Sequence, residues 1–323
     1  LGVLTSGSGA GEAAAASAPT KATSLTTHAL TTPGAALLPP VGAADAATAA
    51  ALADLPSAGR VRLLPSDPIQ RTIVWLGIVT QDNETISCSG TIVGDGVVLT
   101  SAHCISGAKS VRVVPGKDGG NEPWGSQYGS NVSVPSGWGF GNPTDYAKYD
   151  IGLVILPDRK LTNQTGIFPG KLAALPAGLF RNNVTEVAAL GYPGKCSDTR
   201  CSEDFPATAP YGMYSWALHA GFVKADQSFI YPDFPGASGM SGGAIIRESD
   251  LAIVGVVDSN LFVTTQGVRF NESARDFVTL GCGSFPVCSI TFAKPMLRLL
   301  VPGIAVDTHD SPLLSGRALY CAK

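Results

Sequence analysis

The sequence is poor in charge and has no long apolar run. Charged residues make up 15% of the 323 residues, the formal net charge is -3, and no cluster of lysine or arginine stands out. Nucleic acids and anionic membrane surfaces are bound by such clusters, so polyanionic partners are not expected. The longest apolar stretches, such as residues 251–257, are far shorter than the roughly 20 residues that span a bilayer. No membrane span is expected.

Histidine is also scarce, which argues against a zinc site. The four histidines are scattered along the chain, at His28, His103, His219 and His309. A zinc site usually combines C-x2-C or H-x3-H spacing with a fourth ligand nearby. Two close cysteine pairs have loop-sized spacings that suit local disulfides instead: Cys196 with Cys201, and Cys282 with Cys288. No metal or other cofactor is expected.

Cysteines and glycosylation sequons both favour an oxidising, extracellular environment. Five of the nine asparagines begin an N-x-[ST] sequon, a larger share than chance placement would give. These are Asn83, Asn131, Asn163, Asn183 and Asn271. The start at Leu1 rather than Met is compatible with removal of a signal peptide, and secretion is expected. Cys321, the odd one of seven cysteines, is a free thiol or forms an intermolecular disulfide.

The first 58 residues are of low complexity. Ala, Thr, Ser, Gly and Pro dominate, with hardly an aromatic or charged side chain, so the segment cannot bury enough surface to offset chain entropy. A disordered stalk or pro-segment is predicted over residues 1–60, although the alanine-rich stretch 43–52 could form a short, marginal helix. Arg60 and Arg62 end this segment and are candidates for a processing site.

From residue 61 onward the pattern is that of an all-β protein. Short runs rich in Val, Ile and Thr alternate with clusters of Gly, Asn, Asp and Pro, which is typical of a barrel or sandwich. The runs cover residues 72–80, 89–100, 110–114, 151–156, 185–190 and 251–257. One short helix is predicted at residues 272–280. Neither a repeat nor long helical periodicity is present, which disfavours a parallel α/β architecture.

Two segments supply a base and a nucleophile of the kind that metal-free peptide hydrolysis requires. His103 follows the apolar run 97–99 at the predicted end of a strand, where its side chain can reach a cleft. Ser241 lies in residues 239–243, GMSGG, whose glycines allow a tight bend that exposes the hydroxyl. The N–H groups of Gly239 and Ser241 would then form an oxyanion hole.

A candidate acid completes the predicted group of catalytic residues. Asp150 precedes the apolar strand 151–156, which would bury its carboxylate beside the histidine and fix the ring through Nδ1–H. Asp145 is the alternative. A serine among glycines and a lone histidine are weak signals individually, but the order and spacing of all three predict a catalytic triad.

In this order the segments resemble the trypsin and chymotrypsin superfamily of serine peptidases. Residues 100–104 (TSAHC), 150–153 (DIGL) and 239–243 (GMSGG) look like its base, aspartate and nucleophile motifs. The resemblance covers about residues 65–280 and is closest to the glutamyl-endopeptidase-like branch. The segments similar to that branch are residues 88–91, 101–104, 146–153, 191–193 and 267–270.

The resemblance implies a chymotrypsin-like fold, in which two antiparallel Greek-key β-barrels hold the triad in the cleft between them. The base and the aspartate would come from the first barrel, residues 61–160, and the nucleophile from the second, residues 161–280. Residues 281–323 would be a C-terminal extension. The same resemblance implies a disulfide between Cys88 and Cys104 that braces the histidine loop.

At the substrate pocket the sequence departs from these relatives. Pro235 stands where trypsin-like enzymes carry an aspartate, and Val257 where glutamyl-specific relatives carry a histidine. An apolar wall at Val257 favours an uncharged side chain at the cleaved position, because burying an unpaired charge is costly. Asp258, at the same wall, could instead attract a basic side chain, although the resemblance implies that the residue at its position points toward the triad aspartate. Met240 replaces the aspartate that pairs with a new amino terminus in trypsin-type zymogens, so that ion pair cannot form.

These features predict a secreted serine endopeptidase that acts on proteins or peptides through an acyl-enzyme. The main alternative is a catalytically silent homologue serving as an extracellular binding module, since a fold can persist after activity is lost. A third possibility, a glycosylated wall or matrix component, depends only on the composition of the first 58 residues.

Overall fold

Antiparallel strands form most of the described structure. The computed structural model describes residues 25–31, 60–65, 67–139, 147–175, 180, 187–193, 215–219, 223–225, 228–232, 237–248, 250–261, 264–283 and 290. All of these residues belong to one compact unit, residues 1–293.

Eight strands form the first sheet. They are β1 (Leu25–Ala29), β3 (Ile73–Thr80), β4 (Thr85–Gly94), β5 (Val97–Thr100), β6 (Ala108–Pro115), β7 (Gln127–Tyr128), β8 (Asn131–Pro135) and β9 (Gly152–Ile155). Their order across the sheet is β1-β8-β9-β5-β4-β3-β6-β7. Every pairing is antiparallel.

A second sheet also has eight antiparallel strands. They are β2 (Arg60–Arg62), β10 (Val187–Gly191), β11 (Trp216–His219), β12 (Val223–Ala225), β13 (Phe229–Pro232), β14 (Ala244–Arg247), β15 (Ile253–Leu261) and β16 (Thr264–Arg269). Their order is β12-β13-β16-β15-β14-β10-β11-β2. The predicted all-β class is therefore confirmed.

Strand β3 shows why these residues form a sheet. Its sequence is IVWLGIVT, it lies between β4 and β6, and Val74, Leu76 and Ile78 are fully buried. β-branched and aromatic side chains suit such a packed, pleated surface. The Asp95-Gly96 turn, with Gly96 at φ 67°, joins β4 to β5. The predicted run 89–100 is therefore part of a two-stranded hairpin.

The described helices are short. They are α1 (Ala102–Ile105), α2 (Lys160–Thr165), α3 (Glu272–Gly283) and two 3-10 turns, Gln70–Thr72 and Ala147–Tyr149. Helix α3 confirms the predicted C-terminal helix. The Asn271 side chain accepts a hydrogen bond from the Ala274 N–H at 3.0 Å, as an N-cap does. None of the described helices is long and apolar enough to cross a membrane.

Part of the low-complexity N-terminal segment is built into the fold. Strand β1 pairs with β8 over five residues at the edge of the first sheet, and β2 pairs with β11 at the edge of the second. The prediction of disorder is wrong for residues 25–31, because backbone hydrogen bonds to an existing sheet supply the stabilisation that the segment's composition lacks. The alanine-rich stretch 43–52 lies outside the described residues.

Candidate active site

Strand pairing in the first sheet brings His103 to Asp150. Strand β5 ends two residues before α1, which carries His103, and Asp150 lies two residues before β9. These two strands are neighbours, with Thr100 opposite Gly152. The residues that follow one strand therefore lie beside those that precede the other, although 47 positions separate the histidine from the aspartate.

Both oxygens of the Asp150 carboxylate bind His103. Oδ2 lies 2.6 Å from the ring Nδ1, and Oδ1 accepts the His103 backbone N–H at 2.7 Å. The Asp150 side chain is fully buried, whereas the His103 side chain is 35% exposed. A buried carboxylate on Nδ1 favours the tautomer with Nδ1–H, which leaves Nε2 able to accept a proton. Asp145, the alternative acid, lies outside the described residues.

The nucleophile loop comes from the second sheet, directly before β14. Gly239 and Gly242 flank Ser241 with φ angles of 90° and 85°, a region that disfavours residues with a Cβ. A Cβ on Gly242 would lie 2.1 Å from the Thr100 Oγ1 and 2.2 Å from the Ser89 carbonyl oxygen. The sharp bend at Ser241 and its close approach to the first sheet therefore both require glycine.

Cys104 lies between the histidine and the nucleophile loop. Its Sγ is 3.5 Å from the His103 Nε2 and 3.8 Å from the Ser241 carbonyl oxygen. The same sulfur is bonded to Cys88 at 2.02 Å, so the disulfide implied by the resemblance is present. Because the disulfide consumes both thiols, these cysteines cannot serve as thiolate metal ligands beside His103.

The Ser241 hydroxyl donates to the Asp258 carbonyl oxygen at 3.3 Å.

Backbone N–H groups of the loop divide into two kinds. The N–H groups of Met240, Gly242 and Gly243 donate to carbonyl oxygens at 2.8–3.1 Å. Within the described part of the chain, those of Gly239 and Ser241 have no acceptor. Two unused donors beside a nucleophile are the arrangement an oxyanion hole needs.

Ser89 was missed by the sequence analysis as a site residue. Its N–H donates to the Ser241 carbonyl oxygen at 2.8 Å, and its hydroxyl donates to the Gly239 carbonyl oxygen at 2.7 Å. The Tyr192 N–H in turn donates to this hydroxyl at 2.8 Å. Complete burial raises the pKa of the Tyr192 phenol far above its ordinary value, so the ring stays neutral. The signal at this position was the similarity of residues 88–91 to the glutamyl-endopeptidase-like branch.

The structure describes two of the three predicted pocket residues. Pro235 lies outside the described residues. Val257 is 1% exposed and packs in the apolar core of the second sheet, where Met240 is a further member. The Asp258 carboxylate faces the histidine, with Oδ1 4.0 Å from the His103 Nδ1. The substrate-facing role of all three stays a prediction.

Predicted modification sites are only partly described. Asn83 and Asn163 are exposed, Asn131 is half-buried in β8, and the Asn271 side chain caps α3. Asn183 lies outside the described residues.

Cys282 is disulfide-bonded, and its predicted pairing with Cys288 stays a prediction. Its predicted partner Cys288 lies outside the described residues, as do Cys196, Cys201 and Cys321.

Comparisons with known proteins identify the family of the chain. The family model described as Trypsin matches residues 67–271, more than half of the chain. A glutamyl endopeptidase of Bacillus licheniformis is 33% identical over 155 residues, which are 44% of this chain and 46% of that protein. The chain thus spans about half the length of this curated relative.

Solved structures share the fold. A Glu endopeptidase in complex with MPD has a TM-score of 0.55 at 20% identity, covering 70% of this chain and 98% of that one. The protease Anisep from Arthrobacter nicotinovorans has a TM-score of 0.53 at 16% identity, covering 68% and 98%. The expected chymotrypsin-like arrangement of two antiparallel β-structures is therefore confirmed.

Proposed function

Since this chain belongs to the trypsin family of serine peptidases, we propose that it is a serine endopeptidase with His103, Asp150 and Ser241 as its catalytic triad. The observation that carries the proposal is the pairing of a half-exposed histidine with a fully buried carboxylate at 2.6 Å. The glycine-flanked Ser241 comes from the second sheet, and hydrogen bonds from Ser89 to the Ser241 and Gly239 carbonyl oxygens join its loop to the first sheet, which carries the pair.

The proposed chemistry is acyl transfer. His103 Nε2 takes the Ser241 hydroxyl proton as Oγ, released from the Asp258 carbonyl, attacks the scissile carbonyl carbon. The oxyanion accepts hydrogen bonds from the N–H groups of Gly239 and Ser241. His103 then gives its proton to the leaving amine, and a water activated by the same base hydrolyses the acyl-enzyme. Asp150 stays ionised and stabilises the imidazolium.

Labelling with a fluorophosphonate probe tests this proposal, because the probe reacts only with an activated serine. The purified chain should be labelled, and the Ser241→Ala variant should not. Peptide turnover should fall about a million-fold in that variant, as expected when the nucleophile is removed. Ser238→Ala, which changes an exposed serine in the same loop, is the matched control. Failure to label the wild-type chain would favour the silent binding module instead.

We further propose that the enzyme prefers an uncharged side chain at the cleaved position. Val257 is apolar and buried where a glutamyl-specific enzyme is expected to carry histidine. The Val257 side chain offers no partner for a charged substrate side chain, and an unpaired buried charge is costly. Matched peptides with Leu, Glu or Arg at the cleaved position should give kcat/KM values at least about tenfold higher for Leu, equivalent to about 1.4 kcal/mol. Equal cleavage of the Leu and Arg peptides would contradict this preference.

An extracellular location is proposed as well. The Cys88–Cys104 disulfide braces the histidine loop, and disulfides persist in oxidising compartments. The exposed sequons at Asn83 and Asn163 are accessible to glycosylation. Both features fit an enzyme that works outside the cell on protein or peptide substrates.

A further inference from the structure

Asp258 occupies a bulge in β15. Along the pairing of β15 with β16, Val257 lies opposite Gly267 and Ser259 lies opposite Gln266, so the register skips Asp258. A bulge leaves one residue without a cross-strand partner and redirects its side chain. Here the side chain turns toward the histidine of the first sheet.

The Asp258 carboxylate lies between His103 and Gln266. Oδ1 is 4.0 Å from the His103 Nδ1, and Oδ2 accepts a hydrogen bond from the Gln266 Nε2 at 3.0 Å. A ring nitrogen of His103 and one carboxylate oxygen each of Asp150 and Asp258 lie within 4.8 Å of one another. With 11% of its side chain exposed, Asp258 is only weakly screened by solvent.

Backbone contacts fix the bulge from both sides of the site. The Val257 carbonyl oxygen accepts the Ser101 hydroxyl at 2.7 Å and the Gly242 N–H at 2.8 Å. The Asp258 carbonyl oxygen accepts the Ser241 hydroxyl at 3.3 Å. The position of this carboxylate is therefore tied to the histidine loop and the nucleophile loop together.

From this geometry we infer that Asp258 is a second carboxylate positioning residue for His103, an inference that rests on the proposed function. Asp150 holds the ring by hydrogen bonding, and Asp258 adds its charge. Two carboxylates this close repel each other while the imidazole is neutral. When His103 takes the Ser241 proton, the imidazolium relieves that repulsion and is attracted to both acids. Because this interaction strengthens as the transition state forms, it raises kcat rather than substrate affinity.

The same contacts bear on whether Asp258 positions His103 or selects the substrate side chain. Its carboxylate is engaged by His103 and Gln266, which favours the positioning role over that of an acid that selects a basic substrate side chain. Loss of its charge should therefore slow acylation without changing which side chain is preferred.

The test is Asp258→Asn, which keeps the shape and the contact with Gln266 but removes the charge. We expect kcat to fall about tenfold with KM and the Leu-to-Arg preference unchanged, because only a transition-state interaction is lost. A purely structural role predicts that Asn is neutral and Asp258→Ala is not. The matched control is Asp82→Asn, the same change at an exposed turn, which should leave kcat unchanged.

Two results would overturn the inference: an unaltered kcat in Asp258→Asn, or a change confined to KM and the Leu-to-Arg ratio. Should that variant fail to fold, Gln266→Met removes the bond that aims the carboxylate, and a lower kcat at constant KM is again expected. Fluorophosphonate labelling of the wild-type chain distinguishes failure of the Asp258 inference from failure of the proposed peptidase function. If the wild-type chain is labelled but Asp258→Asn turns over normally, only the role of Asp258 fails.

Discussion

Ser89 makes three hydrogen bonds that join the two sheets at the nucleophile loop. Two go to the carbonyl oxygens of Ser241 and Gly239, and the third comes from the Tyr192 N–H. Ser89 is fully buried, so each of these groups would lack a partner without it. The orientation of the proposed oxyanion donors therefore depends on a side chain of the first sheet.

Replacing Ser89 with alanine should reduce both activity and stability. The Gly239 carbonyl and the Tyr192 N–H lose a buried partner, which costs about 1–3 kcal/mol. For a domain of this size, each 1 kcal/mol lowers the melting temperature by roughly 2–4 °C. We also expect kcat/KM to fall about tenfold, as the loop loses its alignment. Calorimetry and peptide assays measure the two effects.

The control for this prediction is Ser87→Ala in the same strand, where the side chain is half-buried and makes no described contact with the nucleophile loop. It should behave as wild type. Equal losses in Ser87→Ala and Ser89→Ala would mean that β4 tolerates neither change and that the bonds of Ser89 to the loop are not the cause.

At the level of strands and helices, local sequence pattern predicts the central elements well. Strand β3 and helix α3 lie within two or three residues of their predicted bounds. Both have a strong apolar pattern, since β3 is buried on both faces and α3 buries residues spaced three and four apart. Short edge strands such as β1, β2 and β7 lack that pattern, and pairing with a neighbouring strand stabilises them.

The candidate site was predictable only in part, because some of its contacts depend on tertiary structure and have no local sequence pattern. Three short motifs identify His103, Asp150 and Ser241, because each has a distinctive local sequence. The contacts of Ser89 and Asp258 depend on the approach of the two sheets and on a bulge in β15. Neither feature has a local signature, so the 4.0 Å contact between the Asp258 carboxylate and the His103 ring is seen only in the folded chain.

At the scale of the whole molecule, the N-terminal segment reaches both sheets. Strand β1 lies at the edge of the first sheet and β2 at the edge of the second. The Arg62 guanidinium also binds the Asp118 carboxylate at 2.6 Å, and Asp118 follows β6 of the first sheet. Cleavage after Arg60 or Arg62, the candidate processing sites, would separate β1 from the rest of the chain.

Removal of this segment should therefore weaken the first sheet. A chain that begins at Arg60 lacks β1, whose five-residue pairing with β8 includes Leu25 packed against the core. We expect a loss of about 2 kcal/mol from these hydrogen bonds and contacts. That is a melting temperature lower by roughly 4–8 °C, with faster amide exchange in β8.

A chain that begins at Leu25 is the matched control, because it removes only residues outside the described structure and keeps β1. It should match the full chain in melting temperature and in the exchange of β8. If the chain from Arg60 is equally stable and β8 equally protected, β1 adds nothing to the first sheet and the segment can act as a removable pro-segment. If only the chain from Arg60 is less stable than the full chain, cleavage at this boundary would lower the stability of the first sheet.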